Sequence, residues 1–146
     1  MKLSKKFTTL KKLSHFISNN SSIGIGGHHF ARLPIALINE VLKSNPKNLE
    51  YISWAGGLAL ELFLQQKAIK KVQLCFSSLD IFGLAPTFRR LSEEKKLKVI
   101  DWSALGLIKS LRASQQNLDS EIFQYPWGSD LPKKTLFCQK FKDPRT

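Results

Sequence analysis

Short apolar runs alternate along the chain with stretches in which apolar residues recur at helical spacing. The runs have lengths typical of buried strands and cover residues 22–26, 49–54, 72–76 and 97–102. Each run is followed by a stretch with the periodicity of an amphipathic helix, at residues 34–43, 58–66, 86–95 and 103–116. A similar pattern over residues 8–18 predicts one more helix ahead of the first strand.

This repetition of strand, loop and helix predicts an α/β fold, with an open, mostly parallel sheet covered by helices on both faces. Ligands bind such sheets outside the carboxyl ends of the strands. The candidate functional segments are therefore the loops 26–33, 54–57 and 77–85, together with Ser103.

The periodicity disappears from Asn117 onward, although Phe, Tyr, Trp and Leu remain frequent there. We therefore expect an α/β core over residues 1–116 and an irregular extension over residues 117–146. Because the extension is too apolar for a solvated tail, we expect it to pack on a missing part of the protein or on a partner.

The composition adds a net charge of +12, from 23 basic and 11 acidic side chains. Such a charge is compatible with nucleic acid or with a smaller polyanionic ligand. The lysines fall in scattered pairs, among them Lys5-Lys6 and Lys70-Lys71, without the interleaved aromatic residues that stack on bases. This pattern favours a solvated basic surface over nucleic-acid binding.

Other sequence features argue against a membrane protein and against a metal site. No apolar run approaches the ~20 residues that cross a bilayer, and the N-terminal stretch has no apolar signal core, so we expect a cytoplasmic protein. Cys75 and Cys138 are far apart and form no CxxC motif, and Cys75 lies in an apolar run typical of a buried structural thiol. His28 and His29 are adjacent, which excludes the i, i+4 pair of a zinc-binding helix.

A glycine-rich loop, Gly24-Ile25-Gly26-Gly27, separates the first strand from its helix. Glycine lets backbone N–H groups approach a ligand closely. The dinucleotide-binding fingerprint fails, because His29 stands where GxGxxG requires its third glycine and no acidic residue ends the second strand. Taken alone, the loop fits ligand contact and tight backbone packing equally well.

Ser77, Ser78 and Asp80 follow the third strand and offer hydroxyl and carboxylate groups at the same edge. The same residues also fit a helix cap or an Asx turn, and no GxSxG motif surrounds either serine. Glu40 and Glu61 lie on predicted solvent faces of helices. We therefore name no catalytic residue.

Four blocks of sequence, in order, resemble the alpha (A) subunit of glutaconate-type family I coenzyme A (CoA) transferases. The first signature of that family has an Asp/Asn-Gly/Asn pair, two spacers, an apolar run, Gly-Gly-Phe and a proline seven residues beyond the second glycine. Residues 19–34 fit this register, and the departures at Gly24, His28 and Arg32 favour the glutaconate type over the ketoacid type. The other blocks are residues 51–61, 75–86, and 115–117 followed by 128–132.

The resemblance implies a CoA-transferase-like, Rossmann-like sheet and transfer of CoA between an acyl-CoA thioester and a carboxylic acid. CoA is then a substrate, no cofactor is permanently bound, and a partner B subunit supplies the nucleophilic glutamate. The residues that it implies in substrate or CoA binding are Gly26, Gly27, His28, His29, Gly56, Gly57, Ser77, Ser78, Asp80 and Gln116.

The resemblance also implies limits on what this chain does alone. A subunits of the family continue beyond the point matched by the last residues, so we expect a chain truncated at its C-terminus and inactive without its B subunit. Self-association is one way to cover the exposed sheet edge that such a truncation would leave. The alternatives are a CoA-thioester hydrolase or ring-opening relative, a non-catalytic remnant, and a basic nucleic-acid-binding protein.

Overall fold

Four strands form one parallel sheet in the order β1-β2-β3-β4. The computed structural model, which describes residues 7–135, 138–140 and 142, has the strands β1 (Ser22–Gly24), β2 (Leu49–Gly56), β3 (Ile69–Ser77) and β4 (Lys98–Asp101). The helices are α1 (Leu10–Ser14), α2 (Ile35–Lys43), α3 (Leu58–Gln65), α4 (Pro86–Glu93), α5 (Ala104–Gln115) and α6 (Leu131–Lys134). The predicted α/β class is confirmed, and every strand pair in the described sheet is parallel.

Several elements differ from prediction at their ends, and α1 and β3 differ most. Helix α1 has 5 residues instead of the predicted 8–18, because the Phe16 and Ile17 amides bond three residues back, as in a tight turn that ends a helix. Strand β3 begins at Ile69 and not at residue 72, because Leu49 pairs with Ile69 across a shift in register.

Helices cover both faces of the sheet, as predicted. The crossover helices α2, α3 and α4 share one face, where their side chains pack against alternate residues of β2 and β3. The buried residues of this main core include Ile38, Val41, Tyr51, Leu60, Phe63, Val72 and Leu74. Helix α5 lies on the opposite face, where Leu107 packs with Ile100 and Trp102.

A polar network crosses the sheet beside α5 and is centred on the Glu50 carboxylate. Ser22 Oγ donates a hydrogen bond to it at 3.0 Å, Gln73 Nε2 donates at 2.5 Å, and Lys71 Nζ lies 2.5 Å away. Trp102 Nε1 in turn donates to Gln73 Oε1 at 2.8 Å. Burial alone would raise the pKa of Glu50, but the hydrogen bonds from Lys71, Gln73 and Ser22 outweigh it, so the pKa is lowered.

The extension contains no helix or strand from residue 118 to the start of the short helix α6, and its side chains contact β4 and α5. Tyr125 is buried, and its hydroxyl donates to Thr135 Oγ1 at 2.7 Å. Thr135 Oγ1 donates to the Asp101 carbonyl at the end of β4, and Lys109 on α5 pairs with Glu121. The extension therefore contacts α5 and β4, while the division into two units at residue 117 stays a prediction.

Candidate functional site

Three loops meet at one edge of the sheet, because parallel strands bring their carboxyl ends together. Backbone hydrogen bonds join the loops: Leu58 N donates to His29 O at 3.0 Å, and Ser78 N donates to Gly56 O at 2.9 Å. Of the predicted substrate residues, all except Gln116 lie in these loops or at the strand ends that lead into them.

The first loop makes a tight turn that depends on Gly27. His28 N donates to Ala31 O at 3.0 Å, and Ala31 N donates back to His28 O at 2.6 Å. Gly27 has a φ of 115°, and a Cβ there would lie 2.6 Å from Leu33 Cδ2. At Gly26, by contrast, no atom lies within 4 Å of the Cβ position. Gly27 is thus required by the turn, whereas Gly26 leaves open space beside it.

His29 points into the protein and is only 7% exposed. Its Nδ1 lies 2.9 Å from Ser78 O, and its ring centroid is 5.7 Å from that of Phe76. A Cβ at Gly57 would lie 2.5 Å from His29 O, so only glycine at position 57 permits this contact. His29 therefore packs against the loops that follow β2 and β3.

His28 stays on the surface and stacks on Trp54, with ring centroids 6.0 Å apart and planes at 28°. Trp54 meets Phe76 edge-on at 5.0 Å and is 39% exposed. Trp54 belongs to a predicted candidate loop but was not among the predicted substrate residues, and Phe76 was missed, although its position at the end of β3 was an available signal. Beside the glycine turn they form an aromatic surface on which an apolar or planar part of a ligand can stack.

The loop after β3 carries hydroxyl groups in two different environments. Ser78 Oγ accepts a hydrogen bond from Asp80 N at 2.9 Å, and Asp80 is exposed with a φ of 55°. Ser77 Oγ is buried and has no partner among the described residues. A Cβ at Gly56 would lie 2.8 Å from Ser77 Oγ, so Gly56 is needed for close packing here.

The same edge exposes an apolar surface formed by Phe30, Ile81, Phe82 and Leu84, which we call the edge patch. Phe30 and Phe82 come from different loops and meet edge-on, with ring centroids 5.6 Å apart. Ile81 is 86% exposed and Phe82 is 72% exposed. Apolar side chains this exposed are typical of a surface that another structure covers.

Gln116 does not join the other predicted site residues. It caps the C-terminus of α5, and its N–H bonds to Arg112 O and Ala113 O. Helix α5 begins at the carboxyl edge and its 12 residues advance about 18 Å. Gln116 therefore lies at the far end of this helix.

The predicted solvent position of Glu61 was wrong. The residue is 3% exposed, and its carboxylate oxygens accept hydrogen bonds from Thr87 N at 2.9 Å and Phe88 N at 2.8 Å. Glu61 thereby caps the first turn of α4, where the four leading N–H groups of a helix lack internal partners. Glu40, in contrast, pairs with the exposed Lys43 on its own helix.

Two cavities differ in their relation to these loops. The larger, of about 780 Å³, lies between α5 and the extension, and none of the predicted site residues line it. The smaller, of about 330 Å³, is apolar and reaches Gly26 from the side of β1 and α2. We place the candidate site by the convergent loops and not by cavity size, because the polar and glycine residues lie there.

The described part of the chain lacks the features of a reactive cysteine, a metal site and a membrane-spanning helix. Burial raises the pKa of the Cys75 thiol to about 11, so at neutral pH the thiol is protonated and weakly nucleophilic. No group of three or more His, Cys, Asp or Glu side chains in the described ranges is placed to hold a metal ion. No helix there is long and apolar enough to cross a bilayer.

Solved structures with the same fold include three with TM-scores above 0.7. Glutaconate coenzyme A-transferase from Acidaminococcus fermentans has a TM-score of 0.81 and 22% identity, over 88% of this chain and 41% of that chain. The acyl-CoA transferase YdiF from E. coli O157:H7, in a thioester complex with CoA, has a TM-score of 0.73 and 17% identity, over 87% of this chain and 26% of that chain. A variant of the decarboxylase AibA/AibB has a TM-score of 0.71 and 22% identity, over 76% of this chain and 44% of that chain. At these identities the likeness shows the fold alone.

An uncharacterized protein of Archaeoglobus fulgidus is 25% identical over 142 residues, which are 96% of this chain and 32% of that protein. The chain thus spans about a third of this relative and less than half of each solved structure named above. The family model of coenzyme A transferases matches residues 7–139, nearly the whole sequence. The chain therefore belongs to the coenzyme A transferase family.

Proposed function

We propose that the chain is the A-type part of a two-subunit CoA transferase of the glutaconate type, which moves CoA between an acyl-CoA thioester and a carboxylic acid. Membership in the family supports CoA transfer in general. The A-type part and its partner rest on the sequence blocks at residues 19–34, 51–61 and 75–86.

The convergence of three loops at the carboxyl edge is the observation that carries this proposal. The glycine turn, the His28–Trp54 stack and the Ser78 hydroxyl lie together there. The turn leaves the backbone open to approach at Gly26, the stack offers an aromatic surface, and the hydroxyl offers a hydrogen-bond donor. An acyl-CoA presents matching features, namely a polar thioester carbonyl next to an apolar acyl group.

Two glutamates of this chain, Glu61 on the first turn of α3 and Glu50 at the amino end of β2, are poorly suited to act as the nucleophile. Both oxygens of Glu61 accept backbone N–H groups of α4. Glu50 is held by Lys71 and Gln73 in the network that lowers its pKa, and a carboxylate stabilised in this way is a weak nucleophile. A glutamate supplied by a partner subunit fits this arrangement.

In the proposed reaction, the partner's glutamate carboxylate attacks the thioester carbonyl and CoA leaves as a thiolate, which forms an acyl-glutamyl anhydride. The thiolate then attacks the glutamyl carbonyl and releases the first carboxylate. The enzyme-bound CoA thioester that results passes CoA to a second carboxylate by the same two steps. The loops of this chain would orient the acyl group and donate hydrogen bonds to the developing oxyanion.

The test is to purify the chain alone and together with a candidate B subunit encoded beside it. CoA exchange between acetyl-CoA and an isotopically labelled dicarboxylate should require both proteins. Mass spectrometry after quenching should find the glutamyl-CoA adduct on the partner and not on this chain. Release of free CoA without exchange would instead identify a thioester hydrolase.

Two variants link the test to the site. Ser78→Ala and His28→Ala should each reduce exchange by about tenfold, the factor that corresponds to one lost hydrogen bond or ring contact. Gly128→Ala is the matched control, because no atom lies within 4 Å of its Cβ position and it lies in the extension. Exchange that is unaffected by both site variants, or an adduct on this chain, would overturn the proposal.

A further inference from the structure

His29 contacts both of the other loops of the site. It belongs to the first loop. Its carbonyl accepts a hydrogen bond from Leu58 N, which follows β2, and its ring forms a hydrogen bond with Ser78 O, which follows β3. We infer that His29 is a positioning residue that fixes the relative placement of the loops, and that it does not itself contact the substrate. Its effect on ligand binding rests on the function proposed above.

The hydrogen bond to Ser78 determines the tautomer of the imidazole. The partner of Nδ1 is a backbone carbonyl, which can only accept. Nδ1 must therefore carry the proton and donate it over the 2.9 Å to Ser78 O. In the neutral ring this leaves Nε2 without a proton, which is the less common tautomer for an unconstrained histidine.

Ser78 receives its position from the other two loops. Its N–H donates to Gly56 O at 2.9 Å and its C=O accepts from His29, so both of its backbone polar groups are used. Only its hydroxyl, which also accepts from Asp80 N, remains for a ligand. A substitution at His29 should therefore alter ligand binding by displacing the Ser78 hydroxyl.

The backbone of His29 is held in a conformation that few residues adopt. Its φ is 44°, in the left-handed region that costs a non-glycine residue free energy. The contact with Gly57 and the bond from Leu58 N offset this cost. Asparagine tolerates the left-handed region better, and its side-chain N–H₂ is attached to Cγ as Nδ1 is in histidine.

These features define a matched set of variants in the full chain. His29→Asn keeps a donor at the same position, His29→Leu removes it, and His15→Leu tests an exposed histidine outside the site. Long-range ¹H–¹⁵N spectra should show His29 with its proton on Nδ1. Amide exchange at Leu58 and Ser78 should be about tenfold faster in His29→Leu, the effect of one hydrogen bond, and within about threefold of the native rate in the other two.

Affinity for acetyl-CoA, measured by calorimetry, should follow the same order: about tenfold weaker in His29→Leu and nearly native in His29→Asn. A proton on Nε2, or exchange rates that do not distinguish asparagine from leucine, would overturn the inference. So would native acetyl-CoA affinity in His29→Leu. If even the native chain fails to bind acetyl-CoA, alone or with its partner, the proposed function is lost, while the tautomer and exchange rates still decide the role of His29.

Discussion

Glycines at the carboxyl edge decide how closely the loops approach one another. A Cβ at Gly57 would overlap the backbone of His29, and a Cβ at Gly56 would contact Ser77 Oγ and Leu60. Gly26 has open space in the same region. Four glycines of these loops were predicted to contact substrate, yet three of them, Gly27, Gly56 and Gly57, have a packing reason that is sufficient by itself.

Gly57→Ala should therefore destabilise the chain by about 1–3 kcal/mol, the usual cost of forcing an extra methyl group into a packed region. Gly26→Ala is the matched control, since it changes the unfolded chain in the same way but should shift the free energy of unfolding by less than about 0.5 kcal/mol. Urea unfolding followed by circular dichroism measures both. Equal losses in the two variants would show that the contact with His29 is unimportant.

The Cys75 thiol offers a second test at the level of one residue. With a pKa of about 11 in the folded chain and about 8.5 in unfolded peptides, its thiolate fraction at pH 8 falls by about two orders of magnitude on folding. In a Cys138→Ser variant, native Cys75 should react with a thiol reagent correspondingly slowly, and urea should restore the ordinary rate. Because the unfolded chain loses this proton first, stability should decline as pH rises above 8.5. A native rate equal to that in urea would contradict the burial of this group.

At the scale of elements, the sequence predicted the order and type of every strand and of the helices that connect them. Apolar runs such as residues 49–54 and 72–76 carry enough signal because both faces of the sheet are covered. Contacts between elements carry no such local signal. The capping of α4 by Glu61 joins residues 26 positions apart, and the His29–Ser78 bond joins residues 49 positions apart. For this reason the sequence predicted that the candidate loops would meet at one edge, but it misplaced Glu61 and did not foresee how His29 is held.

The cap that Glu61 forms on α4 should contribute to the stability of the chain. Glu61→Ala leaves the Thr87 and Phe88 N–H groups without their partner and should cost about 2–3 kcal/mol of unfolding free energy. Glu61→Gln keeps one acceptor oxygen and should cost less. Glu93→Ala is the control on the same helix, because the exposed Arg89–Glu93 pair contributes little. Urea denaturation of the three variants gives the order, and a loss in Glu93→Ala as large as in Glu61→Ala would refute the capping role.

For the whole molecule, apolar surface is distributed unevenly. The edge patch lies beside the candidate site, whereas Leu105, Ile108 and Leu111 form an exposed stripe at three-residue spacing along α5. The chain also carries a charge of +12, which opposes association between identical copies. The charge therefore favours a partner of different composition, such as the proposed B subunit, at the edge patch over a second copy of this chain.

If the proposed B subunit docks at the edge patch, the paired replacements Ile81→Ser and Phe82→Ser should reduce the proposed CoA exchange and weaken the complex by at least about tenfold, since exposed aromatic and aliphatic anchors dominate interface energies. Both side chains are already in solvent in the chain alone, so its own stability should hardly change. Leu105→Ser with Ile108→Ser removes similar apolar area from α5 and serves as the comparison. Analytical ultracentrifugation separates the outcomes. Loss of partner binding only in the edge-patch pair locates the interface at the site, whereas loss only in the α5 pair would place the interface on the exposed surface of α5.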